Sequence, residues 1–277
     1  MSHSEELQRG QRFAFGANWS RFLRLLDDDR IQAAENSLCA MLGVKSLEDK
    51  AVLDIGSGSG LFSLAARRLG AQVHSFDYDP QSVACTAELR RRYFPDNKNW
   101  MVEEGSVLEP NYLGRLGEFD LVYSWGVLHH TGQMWQALEN VTPLVRNNGL
   151  LFIAIYNDQG WIGKYWTIVK RIYNRSNVGR AAMIMFHAPY LFGLRYTVRA
   201  LTGRLSVERG MSLWYDMLDW LGGYPFETAT PEAIFKFFHE KGFALENLKT
   251  CRGRHGCNEF VFRKINASSC STPLLQQ

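Results

Sequence analysis

Asp54-Ile55-Gly56-Ser57-Gly58-Ser59-Gly60 sets three glycines at alternate positions behind an acid. The heptapeptide follows an apolar stretch, Ala51-Val52-Leu53, and runs into a segment from Leu61 to Leu69 whose spacing predicts a helix. A strand, a glycine turn and a helix start leave free backbone N–H groups and the positive end of a helix dipole beside a cleft. That chemistry suits a nucleotide-bearing cofactor. A dinucleotide fingerprint would need G-x-G-x-x-G, and its third glycine position is Leu61 here. Downstream, Gln72-Val73-His74-Ser75-Phe76-Asp77 predicts a second strand that ends in an acid. A carboxylate there can accept hydrogen bonds from both hydroxyls of a ribose.

On the D-x-G-x-G-x-G turn, the acid at Asp77 and the order of the later segments, the chain resembles the class I S-adenosylmethionine-dependent methyltransferases of small-molecule type. The resemblance implies S-adenosyl-L-methionine as cofactor, with Asp54, Gly56, Gly58 and Gly60 on its methionine and ribose side and Asp77 as the ribose acid. It sets Tyr78 against the adenine, or else at a helix entry, and puts Ser106 and Val107 at the adenine edge or in a plain turn. Trp125-Gly126-Val127-Leu128-His129-His130 falls where family members line the methyl-transfer cleft. Either His129 or His130 is then a candidate base, or one of them is structural. Trp125 contacts the cofactor or is buried beneath a lid. The resemblance covers about 49–158 and the last two strands.

Methyl transfer from a sulfonium needs positioning and exclusion of water rather than a protein nucleophile. Accordingly no G-x-S-x-G, H-E-x-x-H or Walker sequence is present. Asp158, at the end of the fifth core strand, is a second candidate base or an N-cap. Beyond it, 159–226 is aromatic-rich and too long for one crossover. It reads as a helical lid with Trp161, Trp214, Tyr215 and Tyr224 toward an acceptor. Asp216 and Asp219 are three apart on one helix face, as a catalytic and a binding acid or as solvated charges. Arg254, in the turn before the last strand, would meet an anionic acceptor or lie exposed.

Around these residues the pattern alternates strand and helix. It predicts an α/β fold: a doubly wound, mostly parallel seven-stranded Rossmann-like sheet with an antiparallel C-terminal strand. The expected organisation is a helical cap over 1–48, a cofactor-binding core over 49–158 and 227–265, the lid over 159–226 and a loose tail over 266–277. The chain's 277 residues, 46% hydrophobic, suffice for a sizeable core. Five cysteines without a C-x-x-C pair argue for a reducing compartment and against a metal cluster. With no signal-peptide layout and no long apolar run, the expected location is cytoplasmic and no transmembrane segment is expected. Between 159 and 210, nine Lys and Arg face Glu208 alone, a net +8, so the overall +3 leaves −5 elsewhere. That asymmetry fits an anionic partner or a solvated helical face. It keeps two other functions open: an RNA-directed methyltransferase gripping phosphates through 159–210, and a non-enzymatic module binding the cofactor or a membrane surface.

Overall fold

The computed structural model describes residues 3–95, 98–194, 196–197 and 213–265, without the side chains at 194, 213–216 and 219. Seven strands, β1 (Ala51–Ile55), β2 (Gln72–Asp77), β3 (Trp100–Glu104), β4 (Phe119–Trp125), β5 (Val145–Tyr156), β6 (Phe243–Lys249) and β7 (Cys257–Lys264), form one sheet. Its order is β3-β2-β1-β4-β5-β7-β6. The first five strands run parallel, and β7 inserts antiparallel between β5 and β6. Order reverses between β1 and β4, so the carboxyl ends of those strands open the crevice where such folds bind ligands.

Strands buried on both faces carry apolar side chains in both directions. On one face Leu53, Ile55, Ile153 and Phe260 pack against α6 (Pro110–Leu113), α7 (Met134–Val141) and α11 (Pro231–Glu240). On the other, Val52, Tyr123, Phe152 and Val261 meet α3 (Asp28–Leu42), α4 (Leu61–Arg68) and α5 (Pro80–Tyr93). The doubly wound, mostly parallel sheet expected from the alternation is therefore present.

Local chemistry sets the element ends. The helical cap expected over 1–48 comprises α1 (His3–Gln8), α2 (Gly16–Phe22) and α3, with Asp27 capping α3 through the Arg30 N–H. α7 stops at Val141, because Pro143 cannot continue it and a short 3-10 turn follows. β5 begins at Val145, which already pairs with Phe119. Thr230 caps α11 as expected, accepting from the Ala233 N–H at 3.2 Å.

The inserted region contributes α8 (Trp161–Arg175), α9 (Asn177–Ala188) and α10 (Leu213–Gly222). Their apolar faces make a third core of Trp166, Val169, Tyr173, Met217, Leu221 and Phe226, joined by Phe13 of the N-terminal segment. The contact with Phe13 is tight: a Cβ on Gly222 would lie 2.1 Å from its ring. Among the described residues no helix is long and apolar enough to cross a membrane, and no cluster of His, Cys, Asp and Glu is arranged to hold a metal ion. The tail expected over 266–277 lies outside the described residues.

Candidate active site

A cavity of about 1150 Å³ opens over the carboxyl ends of β1, β2 and β4. Its floor begins at the glycine turn. Gly56, at φ +74°, has no room for a Cβ, which would lie 2.4 Å from Val127. Gly58, at φ +56°, sits beneath the Trp19 indole, 3.1 Å from where its Cβ would be. These positions need glycine for both conformation and space. The turn is locked to the next strand: the Gly58 N–H donates to Asp77 Oδ2 and the Asp79 N–H to Asp77 Oδ1, both at 2.9 Å. Each Asp77 oxygen thus accepts one backbone bond and keeps capacity for another.

Burial raises the Asp77 carboxyl to about 6, opposed by the bonds from the Asp79 and Gly58 amides. Asp54 is more deeply buried and is pushed up to about 7 by desolvation, against the bond it accepts from Ser63 Oγ. Ser63 continues to Ser75 at 2.8 Å, and Ser75 accepts from the Trp100 indole at 2.9 Å. This chain of polar groups holds Asp54 beneath the turn. Tyr78, Ser106, Val107 and Trp125 also line the cavity, so all the residues expected around the cofactor except Gly60 face it. Gly60 instead starts α4, where a Cβ would strike Thr86 at 2.8 Å.

The opposite wall comes from the N-terminal segment, through Arg12, Phe15, Trp19 and Phe22. Arg12 pairs with Glu6 and lies 5.0 Å from the centre of the Tyr78 ring. The Gly16 N–H donates to Asp79 Oδ2 at 2.8 Å, fastening α2 to the start of α5. Arg12 and Glu6 stand too far before the glycine turn for any spacing to mark them.

The two histidines differ. His130 lines the cavity, its Nδ1 2.6 Å from the Pro225 carbonyl, which fixes the proton on that nitrogen. Burial pushes its pKa down to about 3, so Nε2 is a neutral acceptor at physiological pH. His129 is fully buried behind it; its Nδ1 accepts from the Tyr156 N–H at 3.3 Å, and it is not part of the cavity wall. Burial again holds that imidazole well below its ordinary value.

Other candidates are not brought to this cavity. Asp158 spends Oδ1 on the Gly160 N–H at 2.9 Å and faces a separate hollow of about 340 Å³. Trp161 is 76% exposed. Tyr224 offers its carbonyl to the Phe13 N–H, and its ring lies beneath Arg171. Arg254 sits in the exposed turn before β7. The side chains of Trp214, Tyr215, Asp216 and Asp219 lie outside the described residues. No described residue of the inserted helices lines the large cavity. Other aromatic residues of the insertion, Trp166, Tyr173, Trp220 and Phe226, pack into its own core. The cavity extends the other way, to Lys249 on β6 and Glu259 on β7, neither of which stood out in sequence.

On this sheet, with its reversed C-terminal strand pair, its glycine turn at the switch point and an acid at the end of β2, residues 53–151 match the methyltransferase domain family. Over 113 residues it is 35% identical to ribosomal protein L11 methyltransferase of Prochlorococcus marinus, covering 40% of this chain and 36% of that one. It is 29% identical, also over 113 residues, to ubiquinone biosynthesis O-methyltransferase of Pelagibacter ubique, covering 41% and 45%. The chain thus spans well under half the length of these curated relatives. In fold it is similar to magnesium protoporphyrin IX methyltransferase from Synechocystis, at TM-score 0.55 and 12% identity over 94% of this chain and 99% of the other. The N-methyltransferase NodS from Bradyrhizobium japonicum aligns at TM-score 0.51 and 14% identity over 91% and 98%.

Proposed function

We propose that the chain transfers a methyl group from S-adenosylmethionine to an O, N or S atom of a small molecule held in the large cavity. The observation that carries this reading is the cavity itself, continuous from the Asp77 end to Glu259 and walled by the N-terminal segment. Its volume, about 1150 Å³, is at the upper end of what one drug-sized ligand needs, which leaves room for a second reactant. The residues present fit the cofactor: Asp77 offers two carboxylate oxygens to vicinal hydroxyls, and Gly56 and Gly58 leave space that any Cβ would fill.

The bound sulfonium supplies an electrophilic methyl group to an in-line displacement. The chain's part is to hold both reactants in line and keep water out. Trp19 and Phe15 cover the turn, and Trp125 marks the end of β4, beside the switch point. His130 lines the same cavity; with its pKa lowered to about 3, its Nε2 orients an acceptor proton more readily than it removes one. His129 and Asp158, which do not line the large cavity, have no part in this reading.

Relatives named for ubiquinone biosynthesis and for a ribosomal protein leave small-molecule and macromolecular acceptors both in view. The test is incubation with methyl-labelled S-adenosylmethionine and separated low-molecular-weight, RNA and protein fractions of a cell extract. Label is expected in the low-molecular-weight fraction. Label confined to RNA would favour the basic 159–210 segment as a phosphate grip, and label confined to protein would equally overturn the proposal.

A further inference from the structure

We infer that Glu259 selects the acceptor, and that the acceptor presents a hydrogen-bond-donating end, a hydroxyl or an amine, rather than a carboxylate or phosphate. The inference rests on the methyltransferase reading above and narrows the substrate class of that same cavity.

Strand pairing places the residues. Trp125 pairs with Ala154, Ala154 with Glu259, and Glu259 with Lys249. Paired positions point to the same face of a sheet, so the four stand in one row, on the face that carries α3. With strands about 4.8 Å apart, Glu259 lies roughly 10 Å beyond Trp125, on the side away from Asp77. That separation suits an acceptor reaching outward from the methyl-transfer point. Between the two side chains the row holds only the small Ala154. Beside it, Phe62, Tyr123 and Phe152 supply apolar wall, and α3 closes the other side through Ala33 and Ser37.

Glu259 is 7% exposed, an uncommon place for a carboxylate. Its one cationic neighbour among the described residues, Lys249 at 3.4 Å, has a side chain that is 69% exposed and reaches it from the outer strand. A buried carboxylate held this way can offer its second oxygen to a donor. The charge of the whole cavity agrees. Eight carboxylate side chains line it against three cations, and each cation is already matched: Arg12 to Glu6, Arg30 to Asp27, Lys249 to Glu259. An anionic acceptor would find no unmatched positive side chain among the described residues and would lose its hydration without return. The anionic acceptor that Arg254 pointed to is therefore set aside.

The test uses the full chain saturated with S-adenosylhomocysteine and three probes that share one aromatic body: phenethylamine, 2-phenylethanol and 3-phenylpropionate. Ligand-observed NMR reads their affinities. The amine and the alcohol should bind at least tenfold more tightly than the carboxylate. Glu259→Gln should weaken the amine about tenfold while S-adenosylhomocysteine affinity stays within twofold. Lys249→Met, at an exposed side chain that folding tolerates, should tighten the amine severalfold by removing the competing cation. Equal binding of the carboxylate, indifference to both substitutions, or failure of all three probes on protein that does hold S-adenosylhomocysteine would overturn the inference. Failure to hold S-adenosylhomocysteine at all would instead count against the methyltransferase reading.

Discussion

Asp54 and Asp77, at the carboxyl ends of neighbouring strands β1 and β2, carry opposite obligations. In the proposed complex Asp77 stays ionised to accept from ribose hydroxyls, and two backbone amides help it do so. Asp54 has only a hydroxyl donor and deeper burial, so its carboxyl rises to about 7. A carboxyl whose folded pKa exceeds its unfolded value stabilises the fold relatively at low pH, and that contribution is lost as pH rises from about 4 through the folded pKa. Above pH 7 the folded chain holds an ionised Asp54 in a buried site. Asp54→Asn keeps the Ser63 bond and removes the charge. It should raise stability at pH 8 by on the order of 1–3 kcal/mol and have little effect at pH 3, where the carboxyl is neutral in the folded and the unfolded chain alike. Denaturant unfolding at the two pH values checks this; an equal change at both would contradict the burial argument.

At the scale of elements, close approaches hold the site together. Gly222 at the end of α10 meets the Phe13 ring, and Gly16 fastens α2 to Asp79, so the inserted helices buttress the N-terminal wall without entering the cavity. Gly222→Ala would push Phe13 away and should cost about 1–3 kcal/mol, the usual penalty of overpacking. It should also weaken S-adenosylhomocysteine binding, which thermal melts with and without that ligand would reveal as a reduced ligand-induced shift. An unchanged shift would mean that the wall stands independently of α10. The glycine turn was the most legible element in the sequence, because its alternating glycines have local conformational demands. The insertion was less legible. Aromatic density looks the same whether rings face a ligand or one another, and here Trp166, Tyr173 and Phe226 face one another.

Over the whole molecule, the site is assembled from parts more than 200 residues apart: Arg12 and Trp19 before the sheet, Asp77 and Trp125 within it, Lys249 and Glu259 at its end. The cofactor half was readable because a turn, a strand end and an acid lie within 25 residues. The far half was not, since a glutamate in a strand shows its burial only once β7 is known to lie between β5 and β6. His129 and His130, adjacent in sequence, separate only in three dimensions, one toward the cavity and one behind it. Because Trp19 stands over Gly58, its fluorescence should change when S-adenosylhomocysteine fills the turn. Trp19→Phe should remove most of that change. A full signal in the variant would show that the N-terminal segment does not cover the bound ligand.

The claim on which all else depends is that the glycine turn and Asp77 hold S-adenosylmethionine, and calorimetric titration with S-adenosylhomocysteine tests it most directly. Two charge-assisted hydrogen bonds contribute about 1.5–3 kcal/mol each. The wild-type chain should therefore bind one equivalent, and Asp77→Ala should weaken that binding by about a hundredfold or more. Absence of binding by the wild-type chain, or near-normal affinity in Asp77→Ala, would contradict the account.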